Sequence, residues 1–349
     1  MNFLKPTLLT LLFTGLLSCE NDVDINAEYT EVTSVIGLID VRTDTQFVKI
    51  TKTFLDDDQN ALQLVNHPDR IYFDSLDVKL VRTSTRDEIV LNKILLPKEP
   101  GLFTQTRNEA YFTSEKLTAN AAYELVINKP GSKVITTASA IPTNGAVLTK
   151  PRPGASGRGS LTLIDIQNNI IDNSRLEFLT STNVGEYDIT LRFNYVEITN
   201  NIDSVDKFFD LPLTTFRNTT LEEGKQDIYI FDGNRFFNAF LSTIPTTALP
   251  RKELYRFMPL GNVEIIIQSA DGEYALYRDV NGPIDGLAQT RPEFTNITNG
   301  IGLFASRTLR TWKLDFNVKT INYIINNYGS TGGMINDFSK YRGFYFRGT

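Results

Sequence analysis

The stretch Leu76-Asp77-Val78-Lys79-Leu80-Val81-Arg82 alternates apolar and charged residues for most of its length. In an extended strand, this alternation places Leu76, Val78 and Leu80 on one face and the intervening charged residues on the other. One face is then expected to be buried while the other contacts water, as in many antiparallel sheets. The stretch therefore predicts a mainly β protein.

The same alternation recurs in short runs between residues 30 and 145, with turn-forming residues between the runs. The predicted strands are Glu31 to Val41, Gln46 to Phe54, Ser75 to Thr83, Glu88 to Ile94, Tyr111 to Ser114, Ala122 to Asn128 and Lys133 to Ala140. Short strands at this spacing favour an N-terminal sandwich of the immunoglobulin or fibronectin type, and the lack of a cysteine pair favours the fibronectin-like variant.

A run rich in proline and glycine, residues 150–159, follows this first domain and is typical of a boundary or a long loop. Residues 146–349 are predicted to form a larger β-rich domain with a few helical insertions. Its predicted strands are Gly159 to Asp165, Arg175 to Thr180, Tyr187 to Ile198, Gln226 to Phe231 and Val263 to Ser269. Its predicted helices are Arg235 to Thr243, Glu273 to Val280 and Thr320 to Tyr328, the first capped by residues 232–234 and with Phe236, Phe237, Phe240 and Leu241 on one apolar face.

The N-terminal residues have the pattern of a lipoprotein signal peptide. One lysine, Lys5, precedes an apolar run that stops at Ser18-Cys19. The run is about ten residues long, whereas a membrane-spanning helix needs roughly 20. Leu16-Leu17-Ser18-Cys19 resembles a lipobox, and Cys19 is the only cysteine of the chain. We therefore expect residues 1–18 to be a cleaved signal peptide and Cys19 to be lipidated.

Residues 19–29 are acidic and polar and predict a tether between the anchor and the first domain. An acidic run directly after a lipidated cysteine resembles the surface-export signal of Bacteroidota lipoproteins, although an ordinary solvated linker has the same composition. The resemblance implies an outer-membrane lipoprotein that faces the cell surface. The net charge of −6 makes nucleic acid a poor partner.

Catalytic residue types are scarce in this sequence. His67 is the only histidine and lies in a turn-like context, so no triad can draw on a second histidine. With no cysteine beyond Cys19, the usual nitrogen and sulfur ligands of zinc are also missing. The sequence therefore predicts a protein that is not an enzyme.

One acidic run could attract calcium. Asp56, Asp58 and Asn60 offer oxygen ligands at alternate positions, as the start of an EF-hand loop does. The rest of the loop pattern fails, since Ala61 replaces the turn glycine and His67 replaces the closing glutamate. A solvated turn is the preferred interpretation, and no cofactor other than the covalent lipid is expected.

A motif near the C-terminus carries a resemblance to a known family. Residues 299–304 read Asn-Gly-Ile-Gly-Leu-Phe, which is similar to a closing Asn-Gly-x-Gly-x-Phe pattern of uncharacterised Bacteroidota outer-membrane lipoproteins. We interpret Asn299, Gly300, Gly302 and Phe304 as a structural motif, in which the glycines permit special backbone angles or close approaches and Ile301 and Phe304 supply apolar contacts.

The family also opens with a lipobox and a sandwich-like domain, so the resemblance covers nearly the whole mature chain. Its members are often encoded beside TonB-dependent transporters. The resemblance therefore implies a non-enzymatic accessory or binding subunit of an outer-membrane β-barrel complex.

Two other functions fit the sequence. A lipid-anchored carbohydrate hydrolase would need two carboxylates close together, and the sequence gives no reason to select a pair among its 41 acidic residues. An adhesin would bind a surface or a polymer without a barrel partner. Glycan capture by exposed rings has weak support, because the single tryptophan, Trp312, alternates with Leu314 and Phe316 on a face that is expected to be core.

Overall fold

The computed structural model describes residues 31–53, 67–97, 107–152, 158–165, 167–199, 203–217, 224–244, 254–282 and 293–328. The predicted signal peptide, the tether and Cys19 lie outside these residues. Asp56, Asp58 and Asn60 of the calcium candidate also lie outside them.

The described residues form sixteen strands and four helices. The strands are β1 (Thr33–Ile39), β2 (Gln46–Lys52), β3 (Asp77–Arg82), β4 (Glu88–Leu95), β5 (Glu109–Thr113), β6 (Tyr123–Asn128), β7 (Ile135–Ala140), β8 (Val147–Lys150), β9 (Gly159–Leu161), β10 (Ser174–Leu179), β11 (Glu186–Thr199), β12 (Asp203–Arg217), β13 (Gln226–Phe231), β14 (Leu254–Phe257), β15 (Val263–Ala270) and β16 (Gly300–Phe316). The helices are α1 (Pro68–Ile71), α2 (Gly233–Thr243), α3 (Gly272–Asn281) and α4 (Val318–Tyr328). The prediction of a mainly β protein with a few helices is confirmed.

Most strands belong to one mixed sheet. Its order is β12-β11-β15-β16-β1-β2-β5-β4-β3-β6-β7, and β14 and β9 pair with β11 and β16 beside this path. A separate three-stranded sheet has the order β13-β10-β8. The large sheet therefore continues from the first predicted domain into the second.

The long strand β16 makes this connection. Its first half, Gly300 to Ser306, pairs in parallel with β1, and its second half, Arg307 to Leu314, pairs antiparallel with β15. One strand of the C-terminal half thus hydrogen-bonds to both parts of the sheet.

The N-terminal strands share one core. Within their part of the sheet, β4 pairs with both neighbours: Glu88 to Leu91 pair with β3, whereas Asn92 to Leu95 pair with β5. The core takes buried side chains from β1 to β7, and it also includes Ile297 and Phe304 from the C-terminal half. This core is therefore completed by residues far outside the 30–145 range.

The 299–304 motif closes this N-terminal unit. Thr298 and Thr137 exchange two backbone hydrogen bonds, and the Asn299 Nδ2 donates to the Ile135 carbonyl over 2.9 Å, which ties the start of β16 to β7. Asn299 has φ +58°, a left-handed conformation that asparagine tolerates. Gly302, at φ +111°, lies directly against the backbone of Val35 in β1.

Of the two apolar contacts predicted for the motif, that of Phe304 is confirmed and that of Ile301 is wrong. Phe304 is fully buried in the N-terminal core. Ile301 is 43% exposed. Leu303, beside Phe304, is buried instead.

The C-terminal core is centred on aromatic rings. Phe193 of β11 packs against Phe209 of β12, Phe236 and Phe240 of α2, and Phe316 of β16. Trp312 is partly buried against this core, as its alternation with Leu314 and Phe316 predicts.

The three predicted helices are confirmed to within two residues at each end. Asp232 caps α2 by accepting a hydrogen bond from the Asn234 amide over 2.9 Å. Phe236, Phe237 and Phe240 are buried as expected, but Leu241 is exposed and does not belong to the apolar face. β12 was not predicted, since its first six residues are exposed on both faces and show no alternation.

Candidate functional site

The candidate site lies on the polar outer face of strands β12, β11, β15 and β16. Strand alternation divides β11 between this face and the aromatic core. The inward residues, all buried, are Tyr187, Ile189, Leu191 and Phe193, and the outward residues are Glu186, Asp188, Thr190 and Arg192. The outward set carries every charged residue of this segment.

A ladder of alternating charges crosses the face. Asp210, Arg192, Glu264 and Lys313 stand in register on β12, β11, β15 and β16. The Arg192 guanidinium binds Asp210 with two hydrogen bonds, over 2.7 and 2.8 Å, and this interaction raises the pKa of Arg192. Opposite charges on neighbouring strands stabilise the face without leaving a strong net charge on it.

Helix α3 covers one end of this face. Asp271 caps the helix by accepting a hydrogen bond from the Tyr274 amide over 2.9 Å. Its other carboxylate oxygen accepts from the Ser306 amide of β16 over 2.6 Å. The cap therefore fixes the start of α3 to the strand that connects the two halves of the sheet.

From α3, Arg278 reaches two carboxylates of β11. Its Nη2 lies 2.5 Å from the Glu186 Oε1, and its Nη1 lies 2.5 Å from the Asp188 Oδ2. Arg217 of β12 approaches Glu186 from the other side at 3.5 Å and also pairs with Asp279 of α3. Five charged groups from two strands and one helix thus form one ion-pair network.

Glu186 is the most buried member of the network, with 1% of its side chain exposed. Its oxygens contact the arginines but accept no well-directed hydrogen bond from the described residues. Burial raises the pKa of this carboxyl even though two guanidinium groups favour its charged form.

Asp188 is more accessible but also held in place. In addition to Arg278, it accepts hydrogen bonds from the Thr215 hydroxyl over 2.6 Å and from the Gln268 amide over 3.3 Å. Glu186 and Asp188 therefore do not form a free acid and base. A substrate would have to displace Arg278 to reach both of them.

A cavity of about 390 Å³ opens on this face next to Arg278. The polar side chains at its wall are Asp188, Thr190, Thr214, Thr215, Arg235, Gln268 and Arg278. Ile266 and Leu309 contribute apolar surface. The Arg235 guanidinium donates to the Leu213 and Pro212 carbonyls, over 2.7 Å each, which fixes its position at the wall. The cavity can bind a ligand that offers hydroxyl or amide groups on one side and apolar surface on the other.

The residues singled out from the sequence lie elsewhere. His67 is exposed and directly precedes α1. Asn299, Gly300, Gly302 and Phe304 lie where β16 meets β1 and β7. The described residues contain no group of three or more histidine, cysteine or carboxylate side chains that could hold a metal ion. In the same part of the chain, no helix has the length and apolar character needed to cross a membrane.

Sequence reasoning missed the ion-pair network. Asp188 and Arg278 are 90 residues apart, and each resembles an ordinary solvated charge in its own segment. The one available signal was the alternation of β11, which places Glu186 and Asp188 on one face without indicating what covers them.

The buried cap at Asp271 predicts a pH dependence of stability. Burial raises the pKa of this carboxyl from 3.8 to about 6, against the opposing effect of the backbone amides that donate to it. Between about pH 4 and 6, the folded state keeps a proton that the unfolded state releases, so this contribution to stability is lost as the pH rises. We expect the free energy of unfolding of Asp271→Asn to gain about 2 kcal/mol relative to that of the parent between pH 4 and pH 7.

Urea unfolding of both proteins at each pH measures this gain. The matched control is Asp232→Asn, which makes the same change at the exposed N-cap of α2. A difference between Asp271→Asn and the parent that stays constant with pH would contradict the prediction.

No family model matches the sequence, and no curated protein is significantly similar to it.

Proposed function

We propose that this chain is a surface-exposed outer-membrane lipoprotein that is anchored through Cys19 and serves as a non-enzymatic accessory or binding subunit of an outer-membrane β-barrel complex. Its body binds cargo in the cavity beside Arg278. The partner is a barrel protein of the TonB-dependent transporter type.

The observation that carries the binding role is the state of the carboxylates at the cavity. The Arg278 guanidinium pairs with Asp188 at the cavity wall and with Glu186, which Arg217 also approaches. The cavity therefore presents fixed hydrogen-bonding groups, which suit recognition, and no carboxylate pair that is free for hydrolysis.

The proposed location at the membrane rests on the sequence. Cys19 is the only cysteine, it directly follows an apolar run of signal-peptide length, and acidic residues follow it. A lipid on this cysteine would hold the folded body at the membrane surface through the tether 19–29.

For the N-terminal body we propose an immunoglobulin- or fibronectin-like sandwich. The strand order supports it: β1-β2-β5-β4 in one layer and β3-β6-β7 in the other reproduce the ABED and CFG order of the constant-type immunoglobulin domain. Such domains commonly serve as rigid binding or spacer modules on cell surfaces.

The anchor is tested by Cys19→Ala. We expect the parent to incorporate an alkyne-labelled fatty acid and to sediment with outer membranes, whereas Cys19→Ala carries no label and stays in the soluble fraction. Ser18→Ala keeps a small residue before the cysteine and is the matched control. An unlabelled parent, or a Cys19→Ala protein that remains in the membrane, would reject the anchor.

Surface exposure and the partner need two further measurements. Protease added to intact cells should degrade the parent while a periplasmic marker survives. Crosslinking followed by purification in mild detergent should recover an outer-membrane barrel protein, and repeated recovery of the chain alone would count against the accessory role.

A further inference from the structure

A second cavity, of about 600 Å³, lies where β8, β9 and β10 meet. Lys150 and Arg152 reach it from the end of β8, Ser160 and Thr162 from β9 and the residue after it, and Asn173 and Arg175 from the start of β10. None of the described residues that line it is acidic. In a chain of net charge −6, this is a local concentration of positive charge.

A buried carboxylate holds two of the cations in place. Glu177 of β10 has a side chain that is 1% exposed, and it pairs with the Lys150 ammonium at 2.8 Å and the Arg175 guanidinium at 2.7 Å. The Lys150 hydrogen bond, together with the charge of Arg175, lowers the pKa of Glu177. The carboxylate therefore stays charged and orients both cations while about half of each cationic side chain remains exposed.

The third cation is not neutralised in this way. Arg152 is exposed and makes no ion pair with the residues that the structure describes. Against the single charge of Glu177, the three cations leave an excess of positive charge at the cavity.

The uncharged side chains at the cavity also offer hydrogen-bond donors to a ligand. The Thr162 Oγ1 accepts a hydrogen bond from the Asn317 Nδ2 over 2.9 Å, which leaves its hydroxyl hydrogen to be donated elsewhere. Ser160 and Asn173 add a hydroxyl and an amide at the rim. Cations combined with neutral donors are the environment that an oxyanion requires.

We propose that this cavity binds the oxyanion group of a ligand, a phosphate or a carboxylate. Arg152 and the exposed side of Arg175 bind the charge, and the Thr162 and Ser160 hydroxyls donate to the remaining oxygens. The site is separate from the cavity beside Arg278, and it does not require the lipid anchor or a barrel partner.

Calorimetric titration of the full chain in mild detergent at low ionic strength tests the proposal. Three probes distinguish the source of the anion: inorganic phosphate for a free ion, dihexanoyl phosphatidic acid for a lipid headgroup, and trigalacturonic acid for an acidic glycan. We expect saturable binding of at least one probe, and the tightest of the three identifies the source.

Two substitutions at Arg152 make the test specific. Arg152→Glu is expected to lower the affinity for the probe at least tenfold, and Arg152→Gln severalfold, because a charge-assisted hydrogen bond is lost. Lys116→Glu, which makes the same charge change at a side chain that is 82% exposed on the N-terminal unit, should leave affinity within twofold.

The proposal is overturned if none of the three probes binds. It is also overturned if Lys116→Glu and Arg152→Glu weaken binding equally, since that result would show a response to net charge alone. Thermal unfolding checks that each variant is folded. If Arg152→Glu does not fold, the affinity of Arg152→Gln tests the role of Arg152.

Discussion

Replacing Gly302 with valine is expected to lower the free energy of unfolding by about 4 kcal/mol. A Cβ atom at this position would lie 2.1 Å from the carbonyl oxygen of Val35, an overlap with backbone that no side-chain rotation can relieve. The φ of +111° adds a backbone strain that residues other than glycine rarely tolerate. To accept a side chain, the parallel pairing of β1 and β16 would have to open.

Urea unfolding followed by circular dichroism measures the loss. Ile301→Val is the matched control, because it makes a small change at the neighbouring exposed residue of the same strand, and it should cost less than about 1 kcal/mol. A Gly302→Val protein as stable as Ile301→Val would show that β1 and β16 do not approach each other as closely as described.

The second large effect is expected at Phe193, the centre of the aromatic core. This side chain is fully buried and contacts rings of β11, β12, α2 and β16. Phe193→Ala removes these contacts and leaves a cavity, so we expect a loss of about 4 kcal/mol in the free energy of unfolding.

Phe208 provides the comparison for Phe193. It lies on β12, and its ring centre is 4.2 Å from the guanidinium carbon of Arg192. Its side chain is 57% exposed. Phe208→Ala should therefore cost about 1 kcal/mol or less. Equal losses for the two alanine variants, measured by the same unfolding experiment, would place the core elsewhere.

The features predicted correctly from the sequence are those with a local pattern. The alternation of residues 76–82 predicts β3, and the arrangement of Asp232, Phe236, Phe237 and Phe240 predicts α2 with its cap. In both cases, the residues that define the element are neighbours in the chain.

The features that could not be predicted depend on distant partners. The first six residues of β12 are exposed on both faces, and their strand conformation comes from pairing with β11. The first half of β16 carries two glycines, which disfavour an isolated strand but permit the approach to β1. Glu186 and Arg278 likewise become partners only when α3 packs over the sheet.

The course of β16 also has a consequence for how the chain acquires its structure. The Thr308 hydroxyl donates to Asp40 over 3.1 Å across a separation of 268 residues, and β1 takes its parallel neighbour from the same strand. During synthesis from the N-terminus, β1 would therefore remain an unpaired edge strand until the residues of β16 had left the ribosome. Such an edge invites pairing with other chains. Contacts of this sequence separation also form slowly. The N-terminal half is thus expected to reach its full stability only after β16 has paired with β1.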